Sequence, residues 1–156
     1  MQLKLVCVGQ KMPAWITTGF DEYAPRLSGQ CRLILKEVSP AKRSKAGVAL
    51  KYMEEEAVRI EEALVGNPIR VVLDEHGDVI DTKALAKRLD AWLQSGRDVA
   101  FVVGGPDGLA PSVKARAEWT WSLTPLTLPH PLVRVVLAEQ LYRAWSLLNN
   151  HPYHRE

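Results

Sequence analysis

Cysteine is scarce in this 156-residue chain: Cys7 and Cys31 are the only two, and they share no CxxC spacing. Neither a disulfide framework nor a cysteine metal site can be built from them, so both are expected to be reduced thiols, Cys7 buried in a strand. Long apolar runs are also missing, and nothing approaches the about 18 residues a membrane helix needs. The start Met1-Gln2-Leu3-Lys4-Leu5 runs directly into a strand pattern without the apolar stretch of a signal peptide, so cytoplasmic residence is expected. Charge imbalance is small, with 20 Lys and Arg against 18 Asp and Glu. That excess does not by itself mark a nucleic-acid binder, which depends on local clusters of cations. Several chemical signatures are missing as well. There is no GxGxxG or GxxxxGK[ST] phosphate loop, no GxSxG elbow, and no HxxxH or Cys/His ligand spacing, so no metal site is expected.

What is present is a foldable composition, 47% apolar and 24% charged, of a length suited to one domain over residues 1–156. Leu3 to Val8 reads as a buried strand, and Trp15 to Leu27 as an amphipathic helix that Pro25 either kinks or ends early. Leu33 to Val38 is a second strand, and Val48 to Leu64 a helix with Leu50, Met53, Ala57, Ile60 and Leu64 on its apolar stripe. Ile69 to Leu73 forms a short strand leading into a turn at Asp74 to Asp78. Asp81-Thr82 offers a cap for a helix reaching Leu93, with Gly96 closing it, and Val99 to Val103 is a fully apolar strand. Alternating strands and helices of this kind predict an α/β fold, a mainly parallel sheet covered on both faces, with ligands beyond the carboxyl ends of the strands.

Three segments of the last third stand out. Gly104-Gly105-Pro106-Asp107-Gly108 is either a tight turn or a backbone built for close approach to a ligand. In Leu123-Thr124-Pro125-Leu126-Thr127-Leu128-Pro129, two prolines free backbone groups from any ladder, which suits a flat heteroaromatic ring; the alternative is an edge strand. From Pro131 to Asn149 runs a helix apolar on more than one face, which requires burial on two sides, the second expected to be a subunit partner. Glu139 and Arg143 on it are spaced as a surface ion pair. A basic cluster, Lys42, Arg43 and Lys45, sits in a stretch without apolar periodicity and reads by itself as a solvated linker.

GGPDG, SLTPLTLPHPLVRVVLAEQLYRAW and the terminal NHPYHRE, taken together with the amino-terminal LxxVGxKMPxWxxxGFxEY and the AKRxK linker, closely resemble one family over essentially the whole chain. It is the family of SPOUT-class methyltransferases that modify N3 of a pseudouridine in helix 69 of large-subunit (23S) ribosomal RNA. The resemblance implies a carboxyl-terminal deep trefoil knot, a homodimer, and S-adenosylmethionine bound by Leu73, Gly104, Gly105 and the loop Leu123, Thr124, Pro125, Leu126, Thr127 and Leu128. Methyl transfer needs the N3 proton removed or the anion stabilised, and His130, His154 and Arg155 are the candidate catalytic residues, with Tyr153 as a stacking platform for the base. Under the same resemblance Lys42, Arg43 and Lys45 become ribosomal RNA contacts, and the assembled ribosome becomes the expected substrate. Two other readings stay open: a non-catalytic ribosome-binding or assembly factor, and a methyltransferase of this class acting on another RNA nucleotide.

Overall fold

Side-chain alternation sets the layers. The computed structural model describes residues 1–154. In β1 (Leu3–Val8), Leu3, Leu5 and Cys7 enter one buried cluster while Val6 and Val8 enter the other, as the two-residue period of a strand demands. β2 (Leu33–Val38), β3 (Ile69–Val79), β4 (Val99–Val103) and β5 (Trp119–Ser122) complete a five-stranded sheet in the order β2-β1-β4-β3-β5, with every pairing parallel. All five residues of β4, a central strand, are buried, which explains its unbroken apolar sequence.

Among the described residues five α-helices cover the two faces: α1 (Ala14–Tyr23), α2 (Ala49–Ala63), α3 (Thr82–Ser95), α4 (Pro111–Ala115) and α5 (His130–Leu148). Phe20 of α1, Leu85, Leu89 and Trp92 of α3, and Leu137 and Leu141 of α5 pack with Leu5, Val71, Phe101 and Trp121. On the other face Ala57 and Ile60 of α2 and Val113 of α4 pack with Val6, Val72 and Val102. α1 ends before Pro25, and the chain continues through a short 3-10 turn at Ala24–Arg26. The Asp81 carboxylate accepts from the Ala84 amide at 2.8 Å, and Gly96 at φ 72° closes α3, both as the sequence indicated.

Three expectations are corrected. β3 does not stop at Leu73; the expected turn at Asp74 to Asp78 is extended chain that returns to β5 after a bulge, with Leu73 and Asp78 both opposite Trp121. Gly77 permits this, because a Cβ there would lie 2.7 Å from the backbone of Thr120. The edge strand considered for the Leu123 segment lies earlier, at Trp119–Ser122, too short for its alternation to show. In α2, Leu50 is 46% exposed, while Tyr52 and Glu56 face inward. The preceding loop folds back over α2 and occupies the position that periodicity alone assigned to solvent.

α5 is buried along Leu137, Ala138, Leu141 and Ala144, whereas Val133, Val135, Val136 and Trp145 are only partly covered. Glu139 and Arg143 form the expected i,i+4 pair at 2.6 Å. Among the described residues no helix is long and apolar enough to cross a membrane. Burial pushes the Cys7 thiol up to about 12 and the Cys31 thiol up to about 11, so both stay protonated.

Candidate functional site

The bulge of β3 at Leu73 to His76 and the carboxyl end of β4 open into a cavity of about 440 Å³, a size that suits a small-molecule ligand. Leu73, Val103 and Trp121 lie at its base, the bend from Gly104 to Leu109 forms one wall, and Leu123, Thr124, Leu126, Thr127 and Leu128 form another. Of the residues assigned to cofactor binding, Pro125 alone is not in the lining. His130 and Val133, at the start of α5, complete it.

Local hydrogen bonds shape both walls. The Gly108 amide donates to the Gly105 carbonyl at 3.0 Å, and these glycines also form an antiparallel bridge, so the bend doubles back on itself. A Cβ on Gly104 would stand 2.7 Å from Gly108 C and 3.0 Å from Leu109 Cγ; only glycine fits the crossing. In the facing loop the Ser122 hydroxyl donates to the Thr124 carbonyl at 2.7 Å, and the Leu126 amide donates to Thr124 Oγ1 at 3.2 Å. Thr127 Oγ1 donates to Glu75 Oε2 at 2.9 Å and so ties the loop to β3.

Charge is arranged around this apolar base. Lys114 Nζ meets Asp74 Oδ2 at 2.8 Å, and that hydrogen bond holds the Asp74 carboxyl below its ordinary range. His130 is lowered, first by burial and then by the Arg134 guanidinium, which keeps the imidazole neutral at pH 7. Arg134 is itself 2% exposed; its Nη1 donates to Glu37 at 2.8 Å and its Nη2 to the Gly9 carbonyl at 3.1 Å, which fixes the start of α5 against β1 and β2. Two buried donor or acceptor atoms of the lining, Trp121 Nε1 and His130 Nδ1, have no hydrogen-bond partner among the described residues.

A His whose pKa falls on folding binds a proton more readily when unfolded, so it withdraws stability as pH drops through the unfolded value of about 6.5. The stability of a His130→Gln variant relative to the parent should therefore rise as pH falls from about 7.5 to 5.5. Thermal unfolding midpoints of both proteins across that range check this; a constant difference would show that His130 titrates normally.

The tail residues lie elsewhere in the same chain. The Tyr153 hydroxyl donates to Glu139 Oε1 at 3.0 Å, its ring sits 4.5 Å from that of Tyr142, and burial followed by Glu139 raises its pKa to about 12. His154 Nδ1 lies 3.3 Å from Ser146 Oγ. With a helix rise of 1.5 Å per residue, Ser146 is about 24 Å along α5 from His130. His130 and His154 are therefore not brought together within one chain, and Arg155 lies outside the described residues. Lys42, Arg43 and Lys45 are all exposed, but Arg43 is also engaged: Nε meets Asp107 Oδ2 at 2.9 Å and Nη1 meets Glu56 Oε2 at 3.1 Å.

The family model described as "Predicted SPOUT methyltransferase" matches residues 1–154. This chain belongs to the SPOUT methyltransferases. It is 54% identical over its whole length, and over the whole of the relative, to "Ribosomal RNA large subunit methyltransferase H" of Hydrogenovibrio crunogenus. It is 56% identical to the protein of that name in Burkholderia mallei, with 99% of each chain covered. Among solved structures, a "probable methylase family protein" from Haemophilus influenzae superposes with a TM-score of 0.57 at 15% identity, covering 97% of this chain and 68% of that one. A putative methylase family protein from Neisseria gonorrhoeae gives 0.54 at 13% identity, covering 90% and 81%. At these identities the structural matches speak for the fold alone.

Some residues of this SPOUT cavity escaped the sequence reading. Asp74 is not one of them: the rule that ligands gather at strand ends points at it beside Leu73, and it lines the cavity. Lys114 and Trp121 carried no spacing signal; the first arrives from α4 and the second from a four-residue edge strand. Glu56, outside the lining but against the bend at Gly105, was hidden among the acidic residues of α2, which periodicity assigned to solvent. Among the described residues, no group of three or more His, Cys, Asp or Glu side chains is placed to hold a metal ion.

Proposed function

We propose that this protein is an S-adenosylmethionine-dependent methyltransferase that modifies N3 of a pseudouridine in helix 69 of 23S ribosomal RNA. The cavity at the β3 bulge and the end of β4, walled by the Gly104 bend and the proline-interrupted loop, carries the cofactor part of the reading, and the relatives named as ribosomal RNA methyltransferases support the substrate. Its residues fit the cofactor. Leu73, Leu123, Leu126 and Leu128 offer apolar surface to a flat ring, backbone groups of an irregular loop offer hydrogen bonds, and Gly104 permits close approach. When bound, S-adenosylmethionine supplies an electrophilic methyl group on a sulfonium.

The protein's own part is positioning and proton handling. N3 of pseudouridine carries a proton at neutral pH. His130, held neutral beside the cavity, is in the right form to accept it, and His154 and Arg155 are proposed to stabilise the developing anion with Tyr153 stacking on the base. Because His154 sits about 24 Å of helix away from His130 in one chain, the tail is proposed to act on the cavity of a second copy. The half-buried Leu132 and Val136, one turn apart on the same side of α5, support a homodimer that would bring the two together. The knotted threading of the last segment and residence in the cytoplasm belong to the same reading, as does one domain spanning residues 1–156. Exposed Lys42 and Lys45 supply phosphate contacts, with the assembled ribosome as substrate and free RNA a poor one.

Two measurements test this reading. Titration calorimetry is expected to show S-adenosylmethionine binding, and mass spectrometry of ribosomal RNA is expected to show one methyl group missing from the helix 69 pseudouridine in cells lacking the gene. Cofactor binding with the methyl group still in place would redirect the activity to another nucleotide; no binding at all would leave an assembly factor.

A further inference from the structure

Arg43 behaves differently from its neighbours Lys42 and Lys45. Its side chain is 28% exposed and already holds two carboxylates, one on each side. Asp107 belongs to the bend that walls the cavity, and Glu56 projects inward from α2 with 1% of its side chain exposed. Glu56 Oε2 also accepts from the Ala41 amide at 2.9 Å, while Oε1 has no partner among the described residues. That free oxygen faces the bend, 3.3 Å from where a Cβ on Gly105 would stand. The remainder of the loop is held as well: the Ser44 amide donates to the Tyr52 hydroxyl at 2.8 Å, and the Arg43 guanidinium lies 5.3 Å from the centre of that ring. Gly47 leaves room for the ring, since a Cβ there would overlap Tyr52 Oη at 1.3 Å.

One arginine thus connects the cationic loop to the cavity wall. We propose that Arg43 is a positioning residue that links the basic loop to the Gly104–Gly108 bend, so that phosphate binding by Lys42 and Lys45 and cofactor binding in the cavity strengthen each other. The proposal rests on the cofactor reading above. Anchoring phosphate on the two exposed lysines adds to the contacts that already hold the loop. Through Arg43 it tightens the hold on Asp107 and the bend, and a cofactor seated against the bend steadies the loop in return. Such coupling is reciprocal, and a change of about fivefold in either affinity lies at its usual lower end.

The test uses the full chain. In Arg43→Ala, amide hydrogen exchange across residues 104–109 of the ligand-free protein should accelerate, and the S-adenosylmethionine dissociation constant measured without RNA should rise about fivefold or more. Asp107→Asn, which removes the charge from the same link and leaves Glu56 paired, should show both changes with an unaltered unfolding midpoint, so the test survives if Arg43→Ala folds poorly. Lys42→Ala with Lys45→Ala should weaken binding to large ribosomal subunits and flatten its salt dependence, yet leave exchange and cofactor affinity in the free protein unchanged. Added large subunits should tighten S-adenosylmethionine binding to the parent and not to Asp107→Asn. Unchanged exchange in Asp107→Asn, or an equal effect of the two lysine substitutions, overturns the proposal. If the parent binds no S-adenosylmethionine, the cofactor reading fails, and the exchange data still decide whether Arg43 holds the bend.

Discussion

Replacing Gly104 with alanine is expected to weaken S-adenosylmethionine binding by about 10- to 100-fold, the affinity equivalent of forcing a methyl group into a packed site. The new Cβ would meet Gly108 C at 2.7 Å and Gly108 O at 2.9 Å. Both are backbone atoms, so no rotamer change relieves the clash, and the bend from Gly105 to Gly108 must move as a unit. Gly105 to Gly108 form a cavity wall outside the buried clusters on the two faces of the sheet, which the bend joins only through Leu109. Affinity should therefore fall further than stability. Calorimetry alongside the unfolding midpoint separates the two, and parental affinity in Gly104→Ala would remove this bend from the cofactor site.

Mixed dimers should reveal where the tail acts. A Gly104→Val subunit, with its cavity blocked, and a His154→Ala, Arg155→Ala subunit should each be inactive as homodimers. The second is expected to lose about a hundredfold to ten-thousandfold in turnover, the usual contribution of proton transfer and positioned charge. Joined in one purified heterodimer, they should regain about half of the parental rate, because the intact cavity of one faces the intact tail of the other. The expectation follows from the length of α5, which separates Ser146 and its neighbour His154 from His130 by about 24 Å. A heterodimer as inactive as its parents would place the tail's action within its own chain. Measuring RNA binding in the same samples also identifies the role of the tail. If the tail residues only clamp RNA, binding falls with turnover; if they act at the base, binding persists.

Several elements of this protein were legible because they rest on local chemistry. The Asp81 cap, the Gly96 terminus, the apolar run Val99 to Val103 and the Pro25 break each follow from propensities acting within one turn or one strand. The Gly104 to Gly108 and Leu123 to Leu128 segments were visible as departures from regular structure, and the family resemblance supplied what they are for. Local chemistry could not decide between a turn and a ligand-approaching backbone at Gly104. The structure shows a doubled-back bend beside a cavity, a relation between β3, β4 and the loop after β5.

Sequence by itself determined the class of fold, the positions of the central strands and the segments in which function would lie, since strand periodicity, helix caps and proline breaks act over a few residues. Tertiary structure decided which face of α2 turns inward, because the loop over residues 40–47 returns to pair with Glu56. It decided that Arg43, one of three exposed cations, spans two carboxylates, a distinction that three neighbouring cations do not carry in their spacing. It also separated His130 from His154, two histidines that a compact carboxyl-terminal third had suggested were together. A rigid helix between them keeps residues that are near in sequence far apart in space.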